Sequence, residues 1–137
     1  MSLVTNEALI EKAIEARRYA YAPYSKHRVG AALLCRDGRI FCGANVENAA
    51  FPLGDCAEKV ALVKAVSEGA KDFLKIAIVT GNRELSGPCG GCRQVLCEFS
   101  SDLEIIVSNV DKKFKIFSLK DLLPFSCSSV SLKKGQE

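Results

Sequence analysis

The sequence has no apolar run near the ~18 residues that a membrane-spanning helix requires, so nothing in it reads as a membrane segment. It has no signal-peptide pattern either. Its first apolar-rich stretch is broken by Glu7, Glu11, Lys12, Glu15, Arg17 and Arg18. A long basic block is also missing, since only the pairs Lys112-Lys113 and Lys133-Lys134 put basic residues together late in the chain. The formal charge is +3, from 19 basic and 16 acidic residues. That small, dispersed excess carries no polyanion-binding signature, so nucleic acid is not expected as a partner, and neither is a membrane. Internal repeats and linker-like segments are absent, which leaves a single domain, 1–137, as the expected organisation. The polar residues 126–137 are expected to form a loose tail.

Hydrophobic residues make up 48% of the 137 positions, which argues against disorder and allows a core without cross-links. The seven cysteines are an odd number beside no export pattern. This favours a reducing compartment, the cytoplasm, and thiols used for metal binding or packing rather than for disulfides.

The pattern predicts a helix over 6–21, with Leu9, Ile10, Ala13 and Ile14 at helical spacing, Asn6 as cap and Pro23 beyond its end. A hairpin follows, Val29 to Cys35 and Arg39 to Val46, joined at Asp37-Gly38. A two-residue turn there sets Cys35 opposite Ile40 and Leu33 opposite Cys42. A second helix starts near Cys56 and closes at Gly69. Leu74 to Thr80 reads as a strand, Cys89 to Phe99 as a third helix, and Leu103 to Ser108 and Phe114 to Phe117 as strands. Ser118 opens a last helical turn before Pro124. Strands alternating with helices imply crossover connections. The expected fold is therefore a single-domain, three-layer α/β/α arrangement around a mixed, roughly five-stranded sheet.

Cys56-Ala57-Glu58 and the later Pro88-Cys89-Gly90-Gly91-Cys92 carry the chemistry. Cys89 and Cys92, three apart at a helix start, share one face. Cys56 stands at another helix start. Helix N-termini lower thiol pKa and accept hydrogen-bonded thiolates. Three thiolates with a fourth position open suit a catalytic zinc, whereas a structural zinc takes four protein ligands. Candidates for a fourth ligand are His27, Cys35, Cys42, Cys97 and Cys127. Cys35 and Cys42, in apolar strands, read as small hydrophobes, and Cys97 points away from Cys92. A redox-active C-x-x-C and a zinc-stabilised module without catalysis are the other readings. Glu58, two residues from a ligand, is placed to carry the proton that such chemistry must move. The charge of three thiolates calls for an offset, from the helix N-termini, Lys59 or Arg93.

These motifs resemble those of the zinc-dependent cytidine deaminases, in the small branch with all-cysteine ligands. The resemblance covers roughly 8–125. It includes P-Y-S-K, V-G-A-A-L, G-x-N-V-E-N-A-A-F, C-A-E, P-C-G-x-C-R-Q and L-L-P. It implies one Zn2+ per chain on Cys56, Cys89 and Cys92, with Glu58 as proton shuttle. It further implies that Asn45 and Glu47 bind ribose, that Ala57 presents its backbone to the base, and that His27 and Phe51 lie at the substrate. The implied reaction is hydrolytic deamination of cytidine and 2′-deoxycytidine by zinc-bound hydroxide attack at C4, within pyrimidine salvage. A homotetramer with sites near subunit interfaces is implied as well. The chain departs from the family pattern in three places. His27 replaces an aromatic and Lys59 replaces an arginine. After Leu123-Pro124, where the family often has a base-stacking aromatic, Phe125 is displaced and Cys127 stands nearer the expected position. A cytosine-containing antibiotic is the alternative substrate.

Overall fold

The computed structural model describes residues 4–81 and 84–126. Helix α1, Asn6–Arg17, leads into a hairpin of β1, Val29–Cys35, and β2, Ile40–Ala44. A 3-10 turn, Phe51–Leu53, precedes α2, Ala57–Ser67, and β3, Phe73–Thr80. Then come α3, Gly90–Cys97, strands β4, Glu104–Asn109, and β5, Phe114–Ser118, and the short α4, Leu119–Leu122. The five strands form one sheet in the order β2-β1-β3-β4-β5. Only β3 and β4 run parallel, joined through α3, so the sheet is mixed as expected.

Two cores lie on opposite faces. Leu9, Ile10 and Ala13 of α1 pack against Ala32, Leu34, Ala77, Val79 and Ile106. Ala61, Leu62 and Ala65 of α2 and Leu96 of α3 pack against Leu33, Phe41, Ile76, Ile78 and Ile105. The alternation of neighbouring residues between the two sets is the period-2 geometry of a strand covered on both sides. The three-layer expectation holds. No helix among the described residues is long and apolar enough to cross a membrane.

Three local expectations are corrected. The N-cap of α1 is Thr5, whose hydroxyl accepts from the Ala8 N–H at 3.1 Å. Asn6 instead accepts from Lys75 Nζ at 3.0 Å. Helix α1 stops at Arg17 rather than 21 because Tyr21 is claimed by a strand-like bridge to Val46. The Tyr21 N–H donates to Asn45 O, and the Glu47 N–H to Tyr21 O. The hairpin loop holds three residues, not two. The Cys35 N–H donates to Arg39 O at 2.9 Å, the Gly38 N–H to Cys35 O at 3.0 Å, and Gly38 sits at φ +96°. A type I turn followed by a left-handed glycine is the three-residue solution. It shifts the register by one, pairing Leu34 with Ile40, Leu33 with Phe41 and Ala32 with Cys42. A shift of one exchanges faces, so Phe41 enters the α2 core and Cys42 packs on the α1 side.

Helix α2 lies directly on β2 at Gly43. A Cβ there would stand 2.6 Å from Ala57 O and 2.6 Å from Ala61 N, both backbone atoms that cannot swing aside. Gly43→Ala is therefore expected to lower stability by about 1–3 kcal/mol. It should also weaken metal retention, since the displaced helix end is the one that follows Cys56. Chemical denaturation with a parallel zinc assay checks both.

Candidate active site

Two helix N-termini converge at one end of the sheet. Cys56 is the N-cap of α2 and Cys89 the N-cap of α3, each with extended backbone. The free N–H groups of both first turns thus point at the same place. Cys92 projects from the first turn of α3. The sulfurs of Cys56, Cys89 and Cys92 all lie within 4.8 Å of one another, with Cys56 and Cys89 at 4.0 Å. The Cys92 N–H donates to Cys89 Sγ at 3.4 Å.

The thiols already share charge. The Cys56 thiol is brought down to about 7, chiefly by a hydrogen bond from Cys92. Cys92 is pushed up, by that same hydrogen bond and then by burial. One thiolate is thus held by its protonated neighbours. Ionising all three sulfurs so close together requires a cation. Tetrahedral zinc with Zn–S near 2.3 Å spaces its sulfurs by roughly 3.8 Å, so the trio fits zinc with small movements. No fourth protein ligand joins the cluster among the described residues. Cys35, Cys42 and Cys97 are free thiols elsewhere, the His27 side chain is not in the cluster, and Cys127 lies outside the described residues.

Glu58, in the first turn of α2, is 4% exposed. Burial pushes its carboxyl above the usual range, partly opposed by hydrogen bonds that include the Cys92 thiol. A carboxyl whose affinity for a proton is raised by burial is suited to taking a proton up as well as giving it away.

Lys59 and Arg93, two candidates for offsetting the thiolate charge, make their polar contacts elsewhere. Lys59 Nζ pairs with Asp55 at 3.2 Å, one helical turn back. Arg93 donates through Nε to Pro88 O and through Nη1 to Leu122 O, each at 2.8 Å. Arg93 therefore braces the loop before Cys89 against α4, and the helix N-termini face the sulfurs instead.

A cavity of about 390 Å³ opens beside the sulfurs, within the range of small-molecule sites. His27, Asn45, Glu47, Phe51, Ala57 and Glu58 line it together with Cys56 and Cys89. Every site residue expected from sequence is thus in the wall, except Cys92, which is buried behind it. The Glu47 carboxylate accepts from the Tyr24 N–H at 3.0 Å, the Ser25 N–H at 3.1 Å and the Ser25 hydroxyl. The Ser25 bonds hold its pKa below the ordinary value, so it remains an anion in neutral solution. Asn45 accepts from the Val29 N–H and donates to His27 O, each at 2.8 Å. One amide hydrogen and one lone pair of Asn45 remain for a ligand. Phe51 is 74% exposed and meets Tyr24 edge-on, ring centroids 5.9 Å apart. Phe125 is fully exposed and outside the cavity wall.

Sequence reasoning assigned no role to Ser25 or Thr80, both of which line the cavity. The only sequence signal for Ser25 was its place in P-Y-S-K, and Thr80 had none.

The model of the "cytidine and deoxycytidylate deaminase zinc-binding region" matches residues 3–108. The chain belongs to this deaminase family. The cytidine deaminase of Halalkalibacterium halodurans is 44% identical over 119 residues, 86% of this chain and 90% of that protein. That of Sporosarcina psychrophila is 40% identical over 132 residues, 96% of this chain and 97% of that protein. The crystal structure of cytidine deaminase from Burkholderia pseudomallei superposes with a TM-score of 0.87 at 44% identity, covering 90% of this chain and 99% of that one. Zinc is the cofactor, and the chain is a zinc-dependent hydrolase.

Proposed function

We propose that this chain hydrolyses cytidine and 2′-deoxycytidine to uridine and 2′-deoxyuridine with release of ammonia, a step of pyrimidine salvage. The observation that carries the reading is one cavity with two chemically distinct ends. A buried carboxyl, Glu58, stands beside three converged sulfurs at one end. An anchored carboxylate, Glu47, stands toward the other.

Cys56, Cys89 and Cys92 hold the metal, which supplies a Lewis acid able to make water nucleophilic at neutral pH. Glu58 takes a proton from the water that adds to C4 and delivers it to N3. It then carries the remaining proton, from the new C4 hydroxyl, to the amino group; the C4–N bond breaks, ammonia leaves, and C4–O becomes the carbonyl. The raised affinity of the Glu58 carboxyl for a proton suits both halves of this cycle. The Ala57 backbone faces the base. Asn45 and Glu47 receive the sugar hydroxyls, which both donate and accept. His27 and Phe51 flank the entrance.

Glu47→Ala should raise KM for cytidine at least about tenfold with a smaller change in kcat, since a charge-assisted hydrogen bond is lost in both ground and transition states. Steady-state kinetics decide this, and an unchanged KM would count against the sugar contact. The reading as a whole is tested by incubating the zinc-loaded protein with cytidine and following ammonia, with the cytosine-containing antibiotic in parallel. Ammonia from cytidine supports it, and none contradicts it.

The homotetramer belongs to the same proposal. Exposed Tyr24 and Phe51, packed edge-on at the cavity wall, form an apolar rim of the kind that another copy covers. Cytoplasmic placement belongs to the proposal too, since thiols kept for a metal site and for packing suit a reducing compartment.

A further inference from the structure

Thr80 ends β3 at the floor of the cavity and is 3% exposed. Its hydroxyl is the one buried side-chain oxygen or nitrogen with no hydrogen-bond partner among the described residues. Buried polar groups are nearly always paired, so an orphan calls for a physical reason.

The surroundings narrow that reason. Thr80 pairs with Val29 on one side and Asn109 on the other. Asn45 extends the same level across the sheet, its N–H donating to Val29 O at 3.2 Å. Strand alternation turns Thr80 to the same side as Ile76 and Ile78, which face α2 and α3. The level is therefore a polar rung beneath the reaction cavity. Its other polar members are engaged. Asn45 holds Val29 and His27, and Asn109 Oδ1 accepts from the Asp111 and Lys113 N–H groups at 2.9 and 3.1 Å. Main-chain ladders occupy both flanks of Thr80, which leaves the cavity that the residue lines as the open side for a partner, reached by a small turn of the buried hydroxyl.

We propose that Thr80 is a further substrate-positioning residue, whose hydroxyl gains its hydrogen-bond partner from a polar group of the bound aminopyrimidine nucleoside. This rests on the function proposed above. The unpaired hydroxyl destabilises the ligand-free fold and favours the loaded one, so stability and activity trade against each other at this residue.

Thr80→Val keeps the side-chain shape and removes the hydroxyl, while Thr80→Ser keeps the hydroxyl. In T80V the Tm of the zinc-loaded, ligand-free protein should rise by about 3 °C or more. Its kcat/KM for cytidine should fall at least about tenfold, and the Tm gain from saturating uridine should shrink. T80S should stay within about threefold of the wild type in kcat/KM. A residue that only packs would lower Tm on replacement and leave the uridine shift intact. A T80V enzyme with unchanged kcat/KM, or with a lower ligand-free Tm, overturns the proposal. A wild-type protein that releases no ammonia from cytidine would strike the functional reading instead. The ligand-free Tm of T80V would still decide whether the hydroxyl is unpaired, a rise supporting the proposal and a fall overturning it.

Discussion

Glu58→Ala should lose at least about 10³-fold in kcat while keeping stoichiometric zinc. Proton transfer by a positioned carboxyl contributes about 10²- to 10⁴-fold, and a loss of 10³ corresponds to about 4 kcal/mol of transition-state stabilisation. Glu58 is asked to move protons to two different atoms, so its removal should fall in the upper part of that range. The metal should stay, because the cluster consists of three sulfurs and includes no carboxylate. The fold should stay as well. Glu58 is nearly fully buried and its burial disfavours the charged form, so replacing it relieves a desolvation cost. Glu58→Gln, close in volume, should therefore melt no lower than the wild type while being comparably inactive. Rate assays, metal analysis and thermal melts on one preparation separate the possibilities. Full activity in the alanine variant would end the proton-shuttle assignment, and loss of zinc would make Glu58 a ligand.

The second large effect is expected at Cys89. Cys89→Ala removes one of three ligands and the sulfur that accepts the Cys92 N–H at the start of α3. Two thiolates leave the ion weakly held, and the binding free energy of the metal is part of the folding free energy. The variant should carry little zinc and melt with the chelator-stripped wild type rather than with the loaded one. The chain buries two cores of its own, one on each face of the sheet. It should therefore remain folded without metal but lose cooperativity at the converging ends of α2 and α3. Stoichiometric zinc and an unchanged melt in Cys89→Ala would remove Cys89 from the site.

The cavity residues were legible for different reasons. Cys56, Glu58, Cys89 and Cys92 were readable because metal chemistry restricts residue type and spacing together, and because both cysteine segments carry helix-start patterns. His27, Asn45, Glu47 and Phe51 came only through resemblance to a family, since a strand end followed by a loop has no spacing rule of its own. Asp37-Gly38 suits both two- and three-residue hairpin loops, and the choice moved Cys42 from one face of the sheet to the other. The end of α1 was set by a bridge between Tyr21 and Val46, far apart in sequence. Lys59 was expected near the sulfurs, although its i,i+4 spacing from Asp55 offered the partner it takes. Thr80 could not have been found, because a threonine at a strand end is ordinary. Only burial and the want of a partner set it apart.

The chemistry rests on a zinc held by three thiolates with its fourth position left to water. X-ray absorption at the zinc edge of the loaded protein reads this directly. Three sulfur scatterers near 2.3 Å and one lighter oxygen or nitrogen near 2.0 Å are expected. Four sulfurs around the metal would close the position where the chemistry is placed and make the site structural rather than catalytic.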